Sequence, residues 1–490
     1  MDKNILQIDG WDKGQAENGL VGFQTIKCCE VFDSPGVVKI ANRSLSLITT
    51  PPTALPIFHV KDTLGNFYYG LSTGKIYKND GVLIHDTGET VWDGVVYKDY
   101  LIVTHGTFVS TYGPLSNAGV AWFDEWKSGL TSGTYSKLQI GQDDVVYIAN
   151  GNSVATLTSF TAGAIGVAPT ATLTTSALDL PEGTYIVTMA ELGKYLMLGT
   201  SGGPTWATRN SYKKASIYLW DRVSTSFNLP IQINENSVQQ MFSDNNKLYV
   251  VAGIKGNLYV TDSTNYYLLK KIAWNADRPS SAFCQFYPNA IGMNNNGNLL
   301  IGSSTYADPY LPYDNASKHG IYEIELKTGT YGSVLKTIPN NGEYGTTKTL
   351  QIGCINPGAD DTTVFGWQSG TSYGLDTTDS NKYETGAVIE SPVYQVGTRL
   401  NRHPPYQNLE FTLLRPLVSG QEIVFSYRIN AQIDYTTYKT YSYSSLGGVM
   451  SHNDKFSVDD AENLQIKIEL KQLITATVGQ NINLMNVKIW

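Results

Sequence analysis

Short apolar runs that end at or near a glycine recur between Phe67 and Gly370. They are Phe67–Gly70, Leu101–Gly106, Val145–Gly151, Tyr195–Gly199, Leu248–Gly253, Leu299–Gly302 and Thr363–Gly366. Continuous apolar runs of this length are typical of strands that are covered on both faces. A further strand with an aromatic or apolar centre often follows, as in Lys75–Asp80, Ile217–Asp221, Asn257–Asp262 and Ile321–Glu325.

The spacing of these glycines predicts the fold. Successive glycines lie about 35 to 65 residues apart, and a four-stranded propeller blade requires roughly 40 to 50 residues. We therefore predict an all-β chain whose residues 54–385 form a β-propeller of about seven blades. We expect the glycines at turns, where a positive φ costs little. A large irregular sandwich or a β-helix is the alternative that the pattern leaves open.

From about residue 386 the apolar positions alternate strictly with polar ones. The alternating sets are Leu409/Phe411/Leu413, Ile423/Phe425/Tyr427/Ile429, Tyr441/Tyr443 and Leu464/Ile466/Ile468/Leu470. Strict alternation is typical of strands with one packed face and one wet face, so residues 386–490 are predicted to form an antiparallel β-sandwich of about six strands. We expect this sandwich to be an independent module. The phase of the last strand changes, which predicts a β-bulge around Met485.

Residues 1–53 are a third segment. Gly36–Ile48 predicts a strand ahead of the first blade, and Pro51-Pro52 separates it from the blades. Propellers commonly close their ring by pairing strands from opposite ends of the blade region. We therefore expect this N-terminal strand segment to close the propeller.

The composition suits extended structure. The chain has 490 residues, of which 41% are hydrophobic and only 16% charged, with 32 tyrosines and 46 glycines, and no helix longer than two turns is expected. The start of the chain lacks the charged and apolar regions of a secretory signal, and no run of 18 apolar residues predicts a membrane span. We expect Cys28, Cys29, Cys284 and Cys354 to be buried thiols of a chain folded in a reducing cytoplasm.

The charge pattern does not predict nucleic-acid binding. The formal net charge is −8, and the densest basic stretches are the pairs Lys213-Lys214 and Lys270-Lys271. Neither pair extends into a stripe that could follow a phosphate backbone.

No motif of catalysis, metal binding or cofactor binding is present. The acidic pairs Asp124-Glu125, Asp143-Asp144, Asp360-Asp361 and Asp459-Asp460 are adjacent in sequence, so on a strand their members point to opposite faces. The histidines have no metal-ligand spacing: they are His59, His85, His105, His319, His403 and His452. We therefore predict no catalytic, cofactor-binding or metal-binding residues, no cofactor, and no enzymatic activity.

Two weaker signals remain. The loop Asn294–Asn298 is similar to a calcium-binding turn but lacks its Asp ligands and terminal Glu. A group of tryptophans could stack on sugars, although filling the space within and between blades is the commoner role: Trp92, Trp122, Trp126, Trp206 and Trp367.

The overall plan resembles a family of phage proteins. The propeller phrase GNFYYGLSTGKIYKNDG, the phrase GAVIESPVYQVGT and the ending ENLQIKIELKQLITATVGQNINLMNVKIW are similar to propeller-bearing tail-hub, stabilisation or nozzle proteins of short-tailed phages. The resemblance implies a structural protein of the virion neck or tail, assembled in the host cytoplasm. It also implies a ring of copies, expected to be a hexamer, with neighbouring tail proteins around it and DNA passing through. Long blade loops at 201–216 and 303–318 depart from a minimal propeller, and the resemblance carries no catalytic residues.

Two other classes of function stay open. A host-recognition protein of the tail tip or fibre, binding glycan or protein, would cluster its aromatic residues at one propeller face. A carbohydrate-active enzyme or lectin unrelated to virions would need, for catalysis, a facing pair of carboxylates in the central pocket.

Overall fold

The computed structural model describes residues 6–13, 23, 25–34, 36–117, 119–204, 214–244, 246–253, 256–272, 284–305, 319–329, 331–337, 350–358, 362–396, 406–430, 432–458, 461–472 and 481–489. Within these ranges the helices are one 3-10 turn, Trp11–Lys13, and one short α-helix, α1 (Tyr443–Leu446). The rest of the regular structure is β-strand. The first strands are β1 (Leu6–Ile8), β2 (Thr25–Lys27), β3 (Cys29–Glu30), β4 (Val38–Ile40) and β5 (Asn42–Ser46).

The next strands form the first five blades, each a four-stranded antiparallel meander. Blade one is β6 (Pro56–Lys61), β7 (Phe67–Leu71), β8 (Lys75–Lys78) and β9 (Val82–Asp86). Blade two is β10 (Val91–Tyr97), β11 (Tyr100–His105), β12 (Phe108–Gly113) and β13 (Ala121–Ser128). Blade three is β14 (Leu138–Ile140), β15 (Val146–Asn150), β16 (Ser153–Thr161) and β17 (Thr170–Asp179). Blade four is β18 (Tyr185–Leu192), β19 (Tyr195–Ser201), β20 (Ser216–Trp220) and β21 (Asn228–Gln232), and blade five is β22 (Val238–Asp244), β23 (Lys247–Ala252), β24 (Asn257–Thr261) and β25 (Tyr266–Lys271).

Blades six and seven complete the ring. Blade six has a divided innermost strand, β26 (Cys284–Gln285) and β27 (Ile291–Met293), followed by β28 (Leu299–Thr305), β29 (Gly320–Ile324) and β30 (Ser333–Thr337). Blade seven is β31 (Leu350–Pro357), β32 (Thr363–Ser369) and β33 (Ser372–Tyr383), with β5 paired to β33 as its outer strand. The innermost strand β31 packs against β6 of blade one, so the ring is closed. The predicted all-β fold with a seven-bladed propeller is confirmed.

The apolar runs ending at glycine are the second strand of each blade, counted from the axis, and the strand that follows each is the third. The expected turn position of the glycines is right at Gly106, Gly151 and Gly253, where φ is positive. It is wrong at other positions. Gly302, for example, lies within β28, where a Cβ would be 2.6 Å from Ile352 Cγ2 of the next blade. The reason for glycine there is the close approach of two blades.

The C-terminal strands build a two-layered sandwich. They are β34 (Gly386–Glu390), β35 (Tyr394–Gln395), β36 (Tyr406–Leu413), β37 (Gln421–Ile429), β38 (Thr436–Ser442), β39 (Ser451–Val458), β40 (Asn463–Gln472) and β41 (Asn483–Ile489). Most of the alternating residues face its core, where Leu409, Phe411 and Ile423 are fully buried. The prediction is wrong at Tyr443, which begins α1 and is 49% exposed, because the strand ends at Ser442. The predicted bulge is confirmed, since Thr412 pairs with Asn486 and Leu413 with Leu484, which leaves Met485 unpaired.

The sandwich is not an independent module. Strand β2 pairs with β34 of the sandwich and also with β30 of blade six, where Lys27 is opposite Leu335. One sheet therefore continues from blade six into the sandwich, and one hydrophobic core extends across both. Strands β1, β3 and β4 belong to the other sandwich layer. The N-terminal segment thus contributes to both parts: β1–β4 to the sandwich and β5 to the propeller.

Candidate functional site

A cavity of about 490 Å³ lies on the propeller axis, where the innermost strands of the blades meet. We call it the axial cavity. Every blade contributes to its lining, with residues such as Val60, Val95, Gln139, Glu191, Ser243, Ile291 and Asn356. Its volume is within the range of small-molecule sites, roughly 300 to 1,000 Å³.

The connection between β26 and β27 crosses the axis and closes the axial cavity at one end. Pro288 and Asn289 line both this cavity and a second one of about 140 Å³, so the connection separates the two. Gln240 of β22 holds it in place, because its Nε2 donates to the carbonyls of Tyr287 at 2.8 Å and Ala290 at 3.0 Å. The axis of the propeller is therefore not an open channel.

Asp93 is at the centre of a polar network at the closed end of the cavity. Its buried carboxylate lies 3.0 Å from Lys137 Nζ and accepts hydrogen bonds from Asn289 Nδ2 at 3.0 Å and from the Leu138 amide at 2.9 Å. Asn289 Nδ2 also donates to the Ile57 carbonyl at 2.9 Å. These residues come from blades one, two, three and six. A buried carboxylate with a cation and amide donors has its hydrogen-bonding needs met, so we assign Asp93 a structural role.

A second ion pair lies at the wall of the axial cavity. Arg222 Nη1 pairs with Glu191 Oε1, and Arg222 Nη2 donates to the Lys194 carbonyl at 3.1 Å. Glu191 also accepts from the Gln142 amide at 3.1 Å. Since Asp93 has its own cation, each of the two carboxylates that line the cavity is paired. The described residues therefore give the cavity no free, facing pair of carboxylates of the kind that glycoside hydrolysis requires.

His59 lies where blade one meets blade seven and is only 4% exposed. Asn356 Nδ2 donates to His59 Nδ1 at 3.0 Å, which places the ring proton on Nε2. Burial, together with the charge of Lys61, lowers the pKa of His59 to about 3, so the ring is neutral near pH 7. Its Nε2 has no hydrogen-bond partner in the described part of the chain, and His59 lines the axial cavity.

His85 and His105, which are isolated in sequence, come together between blades one and two. Asp124 lies between them, 3.4 Å from His85 Nε2 and 3.8 Å from His105 Nε2. Ser110 Oγ is 2.7 Å from His105 Nε2, and Glu89 Oε2 is 3.7 Å from His105 Nδ1. The residue types are those of a Ser-His-acid triad.

This cluster nevertheless does not have the geometry of a nucleophilic site. Ser110 is fully buried, and its Oγ also lies 3.2 Å from Asp124 Oδ1 and accepts from the Glu125 amide at 2.9 Å. A catalytic nucleophile must be able to reach its substrate. Burial also lowers the pKa of His105, although Asp124 and Glu89 oppose this shift. We assign the cluster to the packing of the two blades.

The turn Asn294–Asn298 contacts a carboxylate from another strand. Glu323 Oε1 accepts from Asn294 Nδ2 at 2.7 Å and from Asn298 Nδ2 at 2.8 Å. The cation at this place is the ammonium of Lys336, 2.6 Å from Glu323 Oε2. The turn is therefore part of an internal ion-pair network where the propeller meets the sandwich.

The remaining candidate residues are dispersed. Trp92 lines the smaller cavity, Trp122 stacks on His85 at 4.8 Å, and Trp126 donates to the Pro169 carbonyl at 2.8 Å. These three tryptophans thus do not form one aromatic surface. His452 lies in the sandwich, and His319 lies at blade six. The other candidates lie outside the described residues: Lys213, Trp206, Asp360, Asp361, His403, Asp459 and Asp460.

The cysteines are free and buried, as predicted, and burial raises the pKa of each thiol well above its usual range. No group of three His, Cys, Asp or Glu side chains in the described ranges could hold a metal ion. No described helix is long and apolar enough to cross a membrane.

Sequence reasoning missed the residues that form the axial cavity. Asp93, Gln139, Ser243 and Asn356 come from four different blades, so no local motif unites them. The only signal available was a polar residue inside an apolar strand, such as Asp93 within Val91–Tyr97. A polar residue in a strand points to the cavity only if that strand is the innermost of its blade. The sequence pattern predicted the second strands and not the innermost ones.

No protein-family model matches the chain, and no curated protein matches its sequence. Solved structures with a similar fold do exist. One is the extracellular domain of a protein described as a hybrid two-component system from B. thetaiotaomicron, with 10% identity, a TM-score of 0.47, and coverage of 91% of this chain and 57% of that one. A second such domain from the same organism has 13% identity, a TM-score of 0.42, and coverage of 78% and 45%.

Virginiamycin B lyase from Staphylococcus aureus is also similar in fold, with 12% identity, a TM-score of 0.44, and coverage of 69% of this chain and 99% of the lyase. This chain spans only about half of the two extracellular domains. Each of the three TM-scores is below 0.5, so these likenesses say nothing about the activity or partners of this protein.

Proposed function

We propose that this protein is a non-enzymatic structural protein of a tailed-bacteriophage virion. In this proposal it is a subunit of the neck or tail ring, as tail hub or nozzle, through which DNA leaves the particle. The proposal rests on the resemblance of the sequence plan to such proteins. The structural observation that supports it best is the way the propeller and the sandwich are joined.

The joint is continuous rather than flexible. Strand β2 carries the sheet of blade six into the sandwich, and the buried cluster of Glu30, Lys336 and Glu323 connects the two parts with charged contacts. A subunit with two ends held at a fixed angle can make one contact with each neighbour at a defined geometry. Repeated head-to-tail contacts of that kind form a ring when the rotation from one subunit to the next closes, which this proposal requires.

The described basic residues also support a ring that DNA passes without being bound. Lys270 Nζ donates to the Tyr331 carbonyl at 3.2 Å, and burial lowers its pKa to about 8. Lys214 Nζ donates to Asn234 Oδ1 at 3.0 Å. Lys270 is thus engaged in an internal contact, whereas the contact of Lys214 lies at the surface. Because the axis of the propeller is closed, DNA would pass between subunits of the ring and not through a single chain.

The non-enzymatic part of the proposal has its own support. The cavity carboxylates Asp93 and Glu191 are paired, and Ser110 is buried. Hydrolysis of a glycan or peptide by the purified chain, abolished by one Asp or Glu substitution, would overturn this part alone.

The virion role is tested on particles. Virions made by the phage or prophage that carries this sequence should contain the chain in several copies, detected by mass spectrometry and placed by electron microscopy with a labelling antibody. We expect a ring, most simply of six copies, at the neck or tail, whereas the isolated chain should sediment as a monomer or weak oligomer. Absence of the chain from purified virions would refute the proposal.

The second candidate function is host recognition at the tail tip or fibre. The observation that favours it is the axial cavity, which a purely structural subunit does not need. Labelling at the distal tip of the tail, with no ring at the neck, would favour this candidate.

A further inference from the structure

We propose that the axial cavity is a binding site for a neutral, hydroxyl-rich ligand, a sugar of one or two units. This inference goes beyond the structural role, because it concerns the isolated chain and does not require assembly into a virion.

The first argument is charge. The charged side chains that line the cavity are Asp93, Lys137 and Glu191. Lys137 lies 3.0 Å from Asp93, and Glu191 is paired with Arg222. A charged ligand would have to displace one of these partners and leave a buried charge unpaired, which is costly. The cavity therefore favours a ligand without net charge.

The second argument is unused hydrogen-bonding capacity. Ser243 Oγ, Gln139 Oε1 and Asn356 Oδ1 line the cavity and have no hydrogen bond to another described residue. The buried Nε2 donor of His59 likewise has no hydrogen-bond partner among the described residues. These atoms come from blades one, three, five and seven, so they surround the cavity.

Amide and hydroxyl groups both donate and accept, as sugar hydroxyls do. A set of such groups without carboxylates or ammonium groups of its own is suited to recognising a polyol. Binding of that kind is specific, because a ligand lacking a hydroxyl leaves a polar group of the site unpaired.

The third argument is shape. The volume of about 490 Å³ is far larger than a bound water needs and is closed at one end by Pro288 and Asn289. Apolar side chains complete the wall, among them Met189, Met241 and Phe242. Apolar wall and convergent polar groups together are the usual composition of a small-molecule site.

The test is saturation-transfer-difference NMR on the full chain, followed by calorimetry. The probes are neutral sugars, namely glucose, galactose, mannose, N-acetylglucosamine, lactose and maltose, with glucosamine and N-acetylneuraminic acid as charged comparisons. We expect transfer to at least one neutral sugar and weaker transfer to both charged ones. Transfer to none of the neutral sugars, or preference for a charged one, would overturn the proposal.

Variants locate the site. The double variant Ser243→Ala/Gln139→Ala removes two of the unused polar groups and should weaken binding about tenfold or more. The matched control, Ser128→Ala/Gln395→Ala, changes the same residue types at exposed positions and should bind as the unchanged chain does. Ser243→Phe should abolish binding by filling the cavity. Thermal unfolding verifies that each variant is folded, and unchanged binding in both cavity variants would show that the sugar binds elsewhere.

Discussion

Lys336 of blade six forms an ion pair with Glu30 of the sandwich, with 2.6 Å between Nζ and Oε2. The same ammonium is 2.6 Å from Glu323 Oε2. Burial alone would raise the pKa of Glu30, but Lys336 and the amides of Phe32 and Asp33 more than offset this effect and leave the pKa below its usual range. One cation thus holds two buried carboxylates at the joint between propeller and sandwich.

Replacing Lys336 should therefore destabilise the whole protein. Lys336→Met leaves Glu30 and Glu323 buried without a cation, which typically costs about 3–5 kcal/mol. Chemical denaturation measures the loss. The triple variant Glu30→Gln/Lys336→Met/Glu323→Gln should recover most of it, because no buried charge remains. A control at an exposed pair, Lys98→Ala, should leave the unfolding midpoint unchanged. Equal, small effects of Lys336→Met and Lys98→Ala would contradict the assignment.

Glu384 gives a prediction about pH. It is 1% exposed, and burial, opposed by Arg43, raises its pKa to about 7. Between its unfolded value near 4.5 and pH 7 the folded chain holds a proton that the unfolded chain has lost, so this residue makes stability fall as pH rises through that range. Glu384→Gln should stabilise the protein at pH 8 by up to about 3 kcal/mol and have little effect at pH 4.

The measurement is the free energy of unfolding of both chains from pH 4 to pH 8. Glu182→Gln, at an exposed position, is the control and should follow the unchanged chain at every pH. A difference between Glu384→Gln and the unchanged chain that does not grow with pH would contradict the assigned protonation.

The crossing of the propeller axis should depend on Asn289. Asn289→Ala removes hydrogen bonds to Asp93 and to the Ile57 carbonyl, and the expected loss is about 2–3 kcal/mol, because buried groups are left without partners. Asn117→Ala, at an exposed turn, is the matched control and should cost little. Hydrogen exchange should show the loss in amides of blades one, two and six together. Protection lost in blade six alone would mean that Asn289 does not connect the blades.

A side chain at position 302 should destabilise the protein unless residues of the next blade move. Gly302→Ala places a methyl group 2.6 Å from Ile352 Cγ2, and overpacking of this kind typically costs about 1–3 kcal/mol. Gly302→Ala combined with Ile352→Ala, which removes the Cγ2 atom in question, should lose less than the sum of the two single changes. Gly386→Ala, whose new Cβ would lie 3.2 Å from its nearest neighbour, is the milder comparison. If the losses in the free energy of unfolding simply add, the new methyl group at position 302 does not contact the side chain at position 352.

Whether a truncated chain folds should depend on which sheets lose strands and not on the sequence boundary at residue 386. Deleting residues 388–490 removes the sandwich strands that pair with β1, β2 and β4, and it exposes buried residues such as Trp11, Ile26 and Val38. We expect an insoluble chain. Residues 41–387 retain β5 and all seven blades, and this shorter chain should be the more soluble of the two. Expression yield and circular dichroism compare them, and a soluble, folded chain of residues 1–387 would contradict the prediction.

The sequence by itself determined the kind of fold. Seven apolar runs ending at glycine predicted the blades, because each second strand is covered on both faces and so has a continuous apolar run. Strict alternation around Phe411 and Ile466 predicted the sandwich, and the change of phase in the last strand predicted the bulge at Met485. All of these signals are local, because the burial of a strand and the pleat of its backbone decide which of its positions are apolar.

Only the tertiary structure decided which parts belong together. That β2 joins blade six to the sandwich depends on pairing between residues some 300 positions apart, and such pairing leaves no local pattern. The same is true of the axial cavity, whose polar side chains come from separate blades, and of Lys336, whose two carboxylates come from β3 and β29. The position of a residue in the fold, and not its type, gives these side chains their roles.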